Sequence, residues 1–440
     1  MDMHLVVGVV GIFVMLGMIL FTGMSPGLAM LLAGLVGLLV VNPPTSMAAV
    51  WNGVVGAEVW TVCSNYGFTV IPLFVLLGEV IFHAGYSDRL FKAAEAWFGG
   101  RRGGLAITTL MACAGFSAIC GSNTATAATM SAVALPPMTR AGYHPLLKCG
   151  TIAVGSTLGA VIPPSIVLVV YGLYTNVSIG KLFAGSIIPG LLLVAAFALT
   201  VVVLCKRRPD WAQPGRSLPW KERWRLMPGI LEVALLFVVI MGAMFSGIVT
   251  PTEAAGFGAF IGIALCILRR RLSLAALKAA MISTLHITGM VFLIIAGATV
   301  FGKFLVVTGL PTLLTQAVAG STLPPLLIII FMAACYLLGG CVMDALAFLL
   351  ISLPLFLPVV EQLGYDKIWF GQLICVVTTM GAITPPIGVS AFVVASMCKD
   401  ADAGQVFKGT MYFYPAYAFV MALLFIFPGP IVGWLSSLAK

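Results

Sequence analysis

Apolar residues run in long blocks along this chain, and polar residues gather in the short gaps between them. The blocks fall at 5–22, 27–41, 69–84, 105–119, 124–138, 150–174, 184–204, 228–246, 251–268, 287–307, 326–340, 345–360, 370–396 and 411–434. A helical bilayer crossing needs about 20 mostly apolar residues, which predicts an all-α polytopic membrane protein with about ten full spans. Two adjacent pairs, 105–138 and 326–360, are short in each arm. Each is broken by small or polar residues: Cys120-Gly121-Ser122-Asn123-Thr124 in the first, Gly339-Gly340-Cys341-Val342-Met343-Asp344 in the second. Both are expected to be re-entrant hairpins, because irregular backbone at membrane depth survives only inside protein or beside a cavity. The stretches 45–66 and 272–285 are apolar but interrupted, and suit helices lying along the interface.

Composition sharpens this picture. Hydrophobic residues make up 61% and charged residues 8% of the chain, against about 25% charged in soluble domains. The first block lacks a basic start and runs straight into Gly23-Met24-Ser25-Pro26, so a mature helix is expected, not a cleaved signal. The 10 cysteines are scattered without a CxxC, and Cys113 and Cys120 are expected to be packed in apolar surroundings. A net charge of +9 belongs to loops that set orientation, with no nucleic-acid partner implied.

With the basic linker 206–227 placed in the cytoplasm, counting outward leaves only Lys181, Lys303, Lys367 and Lys440 of the 23 Lys and Arg off that side. Making either hairpin a full crossing would flip the loops after it and spoil the asymmetry. The first hairpin then enters from the cytoplasm and the second from outside.

The two halves also repeat in sequence. Gly159-Ala160-Val161-Ile162-Pro163-Pro164 recurs as Gly381-Ala382-Ile383-Thr384-Pro385-Pro386, an offset of 222, and Gly142-Tyr143 recurs at the same offset as Gly364-Tyr365. Phe21-Thr22-Gly23 matches Phe245-Ser246-Gly247, while Gly78 and Gly85 match Gly302 and Gly309. The expected organisation is two inverted-topology repeats. The first is 1–205, with spans 5–84, hairpin 105–138 and spans 150–204. The second is 228–440, divided into 228–307 and hairpin 326–360 plus 370–434. Such repeats place substrate and ions near the bilayer midplane, where paired broken helices meet.

Chemistry is expected at those breaks. Gly121-Ser122-Asn123-Thr124 leads into a helix, whose free amides and positive dipole end suit an anion. A plain N-cap is the structural alternative. Asp344 is the sole carboxylate within either hairpin, with no Lys or Arg nearby in sequence. Burying it costs about 2.5–3.5 kcal/mol, which favours a bound cation as partner. Pro163, Pro164, Pro385 and Pro386 remove amide donors and should break their spans, freeing carbonyls beside Ser156, Thr157, Ser165, Thr379 and Thr384. Glu79 and His83 lie four apart and can satisfy each other, while Lys303 sits at the repeat position of Glu79, where a cross-repeat pair is possible. Thr250-Pro251-Thr252-Glu253 has the pattern of a helix start.

No Walker-type GxxxxGK[ST] and no HExxH occurs, the four His are dispersed, and neither a nucleophile triad nor a transition-metal site is expected. The chain is expected not to be an enzyme. A channel should carry a continuous polar stripe or charged ring, which is absent.

In their order along the chain, these motifs resemble those of the large (M, DctM-type) membrane subunit of TRAP transporters, the tripartite ATP-independent periplasmic systems. Arg140-Ala141-Gly142-Tyr143, Ile162-Pro163-Pro164-Ser165, Met343-Asp344 and Thr384-Pro385-Pro386 carry the resemblance with the first hairpin tip. It implies an elevator mechanism in the bacterial or archaeal inner membrane, with hairpins 105–138 and 326–360 plus 150–204 and 370–434 as transport domain, 5–84 and 228–307 as scaffold, Na⁺ as coupling ion and no other cofactor. It also implies a small four-helix membrane subunit as a separate polypeptide, a periplasmic substrate-binding protein, and a small organic acid as substrate: a C4-dicarboxylate, a sialic or other sugar acid, or a sulfonate. By position, Na⁺ ligands would come from Ser122, Asn123, Ser156, Thr157, Asp344, Thr379 and Thr384. Substrate contacts would come from Ser122, Asn123, Thr124, Ser165 and Thr384. The rival within the same class is a stand-alone Na⁺–dicarboxylate symporter without a binding protein.

Overall fold

The computed structural model describes residues 3–41, 51–215 and 218–438. Lys440, Arg216 and the stretch 42–50 therefore lie outside the described residues. Helices joined by tight turns make up the described chain, with no strand among the described residues. Nine of these helices are long and apolar enough to cross a membrane. A tenth span is added if Ala403–Met411 and Tyr414–Ile426, bent by 45° at their junction, count as one.

Two helices of the regions expected to form the scaffold are held by close approach. Helix Pro26–Val41 lies along the 34-residue helix Leu274–Val307. A Cβ on Gly27, Gly34 or Gly297 would meet the opposing backbone at 2.7, 2.9 and 2.1 Å. Small residues let backbones touch where lipid offers no hydrophobic drive. The long helix also corrects the sequence reading, because 272–285 is not a separate interfacial helix. Its residues from Leu274 continue without a break into the following span, capped by Ser273 accepting from the Ala276 amide at 3.1 Å. At 1.5 Å per residue the element is about 51 Å long, more than a bilayer thickness. Similarly, Thr250 and Glu253 form a reciprocal capping box that starts helix Pro251–Leu268.

The first hairpin comprises Gly104–Cys120 and Asn123–Arg140, the second Pro325–Val342 and Ala345–Gln362. Both second-hairpin arms are 18 residues long, enough for about 27 Å. The first-hairpin arms are 17 and 18 residues, so neither hairpin has the short arms expected from sequence. Gly339 to Val342, assigned to the tip from sequence, complete the last helical turn, and the reversal is confined to Met343 and Asp344. Each hairpin is followed by a broken helix: Pro145–Ser156, Leu158–Val161 and Ile166–Thr175 in the first half, Lys367–Gly381 and Val389–Met397 in the second. Matched positions share backbone conformation as well. Gly142 and Gly364 take φ of 70° and 73°, Gly85 and Gly309 take 77° and 74°, and both Pro-Pro bonds are cis.

Candidate functional site

The two hairpin tips line one cavity. Gly121, Ser122, Asn123 and Thr124 face Asp344, Ala345 and Leu346 across it. Ile166 and Val167 after the first break add one wall, and Ile287 to Ile294 of the long helix close another. The cavity holds about 40 Å³, space for a water or a bare cation and too little for a four-carbon acid.

Local chemistry fixes both tips. Ser122 is extended and caps helix Asn123–Arg140, accepting from the Ala125 amide at 3.5 Å, with Thr124 Oγ1 3.2 Å from its hydroxyl. Asp344 caps helix Ala345–Gln362, accepting from the Leu346 amide at 3.1 Å. Two helix N-termini thus open on one cavity, each with amides that have no intrahelical carbonyl. Their dipoles favour negative charge there. Beside them stand two cation-type donors. Asn123 Oδ1 is buried without a hydrogen-bond partner among the described residues. Asp344 belongs to none of the ion pairs among the described residues.

The breaks press directly on the tips. Gly121 adopts φ +63°, and a Cβ there would lie 2.3 Å from the Pro164 carbonyl oxygen. A Cβ on Gly159 would lie 2.8 Å from the Ser122 carbonyl oxygen. The Ile166 amide donates to the Gly121 carbonyl at 3.4 Å, and the Ile387 and Gly388 amides donate to the Cys341 carbonyl at 3.1 and 3.0 Å. The chain just beyond the prolines is thus tied to the hairpin tip in the first half and to the last turn before the tip in the second. Pro163 and Pro164 are buried, whereas Pro385 and Pro386 are exposed.

The remaining residues singled out from sequence do not line the cavity. Ser156, Thr157 and Thr379 are buried, and their hydroxyls donate to Ala153, Val154 and Val376 carbonyls one turn back at 2.7, 2.6 and 2.8 Å. Ser165 caps helix Ile166–Thr175 and its hydroxyl donates to the Ala160 carbonyl. Thr384, half-buried at the second break, donates to the Met380 carbonyl at 2.7 Å. One partner was missed from sequence. The buried Tyr417 phenol bonds Thr157 and lies beside Thr379, joining repeat-matched positions at the two breaks. It sits in an apolar block without a polar neighbour, so no local pattern marks it.

The suggested Glu79–Lys303 pair is also overturned. Lys303 Nζ lies 3.9 Å from Glu58 Oε1, while Glu79 pairs with His83 at 3.5 Å. Glu58 sits in helix Gly56–Ser64, within the interrupted stretch 45–66 read from sequence as interfacial.

Comparison with known proteins decides the family. Residues 12–429 match the model of the tripartite ATP-independent periplasmic transporter, DctM component. The chain belongs to this family. It is a transport subunit and not an enzyme, and its apolar helices make it a multi-pass inner-membrane protein. The sialic acid TRAP large permease SiaM of Vibrio cholerae is 30% identical over 95% of this chain and 96% of its own length. A putative TRAP large permease of Haemophilus influenzae is 32% identical over 85% and 93%. The isethionate TRAP permease DctMQ of Oleidesulfovibrio alaskensis is 33% identical over 83% of this chain, and the match spans only 57% of that relative. Among solved structures, the Alcanivorax borkumensis YdaH transporter superposes with a TM-score of 0.68 at 16% identity, covering 95% of this chain and all of its own. At that identity the likeness shows the fold alone.

Proposed function

We propose that this DctM-type chain carries out secondary uptake of a small organic acid, driven by Na⁺ and moved by an elevator motion of the hairpins and broken helices. The observation that carries the reading is the shared cavity, where both tips bring together two helix N-termini, Asn123 Oδ1 and an Asp344 without an ion pair among the described residues. An anionic substrate suits the helix ends. A hard cation suits the carboxylate and the amide oxygen. Thr157 donates to the Val154 carbonyl and accepts from the Tyr417 phenol, which leaves one lone pair that a cation could use. Relatives named for C4-dicarboxylates, sialic acid, isethionate and ectoine support a small organic acid as the substrate. Tripartite relatives support a small membrane subunit and a periplasmic binding protein as partners, and the basic loops support a cytoplasmic linker.

The test uses the chain reconstituted in vesicles with its membrane partner, its binding protein and a panel of organic acids. Asp344→Asn keeps the cap, because Asn caps as well as Asp, yet removes the charge. Na⁺-gradient-driven uptake should be lost while the protein stays folded and monodisperse. Uptake that persists with unchanged Na⁺ dependence would remove Asp344 from the ion site. Uptake without any binding protein would instead favour the stand-alone symporter.

A further inference from the structure

We infer that the groove between helix Ile179–Arg207 and the bent pair Ala403–Met411 and Tyr414–Ile426 binds one anionic phospholipid. The groove measures about 630 Å³ and is apolar from Leu192 to Leu204 but for Thr200, with Arg207 as the one charged residue lining it. On the long helix the lining recurs every third or fourth residue, which is one face of an α-helix. The opposite face is occupied: a Cβ on Gly103, at the base of the first hairpin, would meet Cys205 Sγ at 2.6 Å and Val201 at 3.1 Å.

Length and charge together select a lipid. From Leu192 to Arg207 the helix rises about 22 Å. That equals one leaflet with its headgroups, half of the roughly 40–45 Å of a full bilayer. Acyl carbons would lie along Leu199, Val203, Ala416 and Phe419, with the phosphate at Arg207. Arg207 is exposed and belongs to no ion pair among the described residues. Lys408 lies one helical turn before Tyr412, on the face that borders the same end. Tyr412 stands edge-on to Trp211, which the Arg208 guanidinium covers at 5.5 Å. This is the amphipathic, basic environment of a headgroup zone. The second large apolar groove, between Met3–Thr22 and Pro26–Val41, has no charged residue in its lining and so nothing to select a headgroup.

The test extracts the full chain, with its membrane partner, from vesicles of equal phosphatidylglycerol and phosphatidylethanolamine, and counts retained lipid by native mass spectrometry. One phosphatidylglycerol per chain should survive. Arg207→Gln should lower the preference for phosphatidylglycerol about fivefold, the factor for one basic side chain beside an anionic surface. Ala416→Phe, which fills the groove, should abolish retention, while Val36→Phe in the uncharged groove should leave it unchanged. Equal retention of both lipids, no retention by the parent chain, or an Arg207→Gln protein that binds as the parent does would each overturn the assignment. So would cross-linking of Val203→Cys to another polypeptide, which would make the groove a protein interface.

Discussion

Lys148 Nζ sits 2.8 Å from Asp400 Oδ2, joining the first half of the chain to the second across 252 positions. The Lys148 side chain is 2% exposed and also donates to Thr139 Oγ1 at 2.8 Å, whereas half of the Asp400 side chain faces outward. The asymmetry makes a prediction. Lys148→Met buries an apolar chain of similar length and leaves Asp400 free to take up water. Asp400→Asn leaves a buried ammonium without its counter-charge, the costlier error. Thermal unfolding should therefore drop further for Asp400→Asn than for Lys148→Met. The reverse order would mean that the carboxylate contributes nothing.

A pH dependence follows from the same pair. The hydrogen bond from Lys148, then its charge, holds the Asp400 carboxyl below the usual carboxylate range. A depressed folded-state pKa adds stability that is fully present above the unfolded value, near 3.9, and disappears as pH falls through the folded one. Melting temperature measured downward from pH 5 should fall more steeply for the parent chain than for Asp400→Asn. Parallel curves would refute this.

Gly121 and Gly142 separate strain from contact. Both have positive φ, but a Cβ on Gly142 meets nothing within 4 Å, whereas one on Gly121 runs into the Pro164 carbonyl. Gly142→Ala should cost only the left-handed backbone penalty, about 1–2 kcal/mol, and retain uptake. Gly121→Ala adds displacement of the hairpin tip from the first break and should abolish uptake. Equal behaviour of the two variants would show that the tip has room to shift.

The fold and part of the candidate cavity lining were legible because membrane burial writes itself in composition. Apolar blocks, glycine turns and proline breaks are local, and the repeat exposes Gly121, Ser122, Asn123 and Asp344 as special by their company. Long-range partners were not legible. Tyr417 reaches Thr157 across 260 positions, and nothing in its neighbourhood distinguishes it from a core aromatic. The repeat misled for Lys303, since offset matching presumes that matched residues meet, and the nearest acid came instead from an interrupted stretch.

That reassigned pair predicts a small effect. Lys303 is half exposed and 3.9 Å from Glu58, a geometry worth no more than about 1 kcal/mol. Lys303→Met should barely move the unfolding midpoint, and Glu58→Gln should match it. A loss of several kcal/mol in either variant would mean that the pair is desolvated in the membrane.

Cys149 and Cys398 hold their sulfurs 3.0 Å apart, both buried, in the first broken helix and at the end of helix Val389–Met397. A membrane-permeant diazene oxidant takes two electrons and two protons from such a pair, becoming a hydrazine as the disulfide forms. Peptide mapping should then find residues 149 and 398 linked, and Cys149→Ser should prevent the link. In the proposed elevator both segments belong to the body that moves as one piece, by rigid displacement against the rest of the chain. The linked protein should therefore keep its uptake rate. A linked protein that no longer transports, with activity restored on reduction, would place a moving boundary between the first broken helix and the segment that carries Cys398. The elevator reading would then have to be redrawn around two bodies that slide past each other.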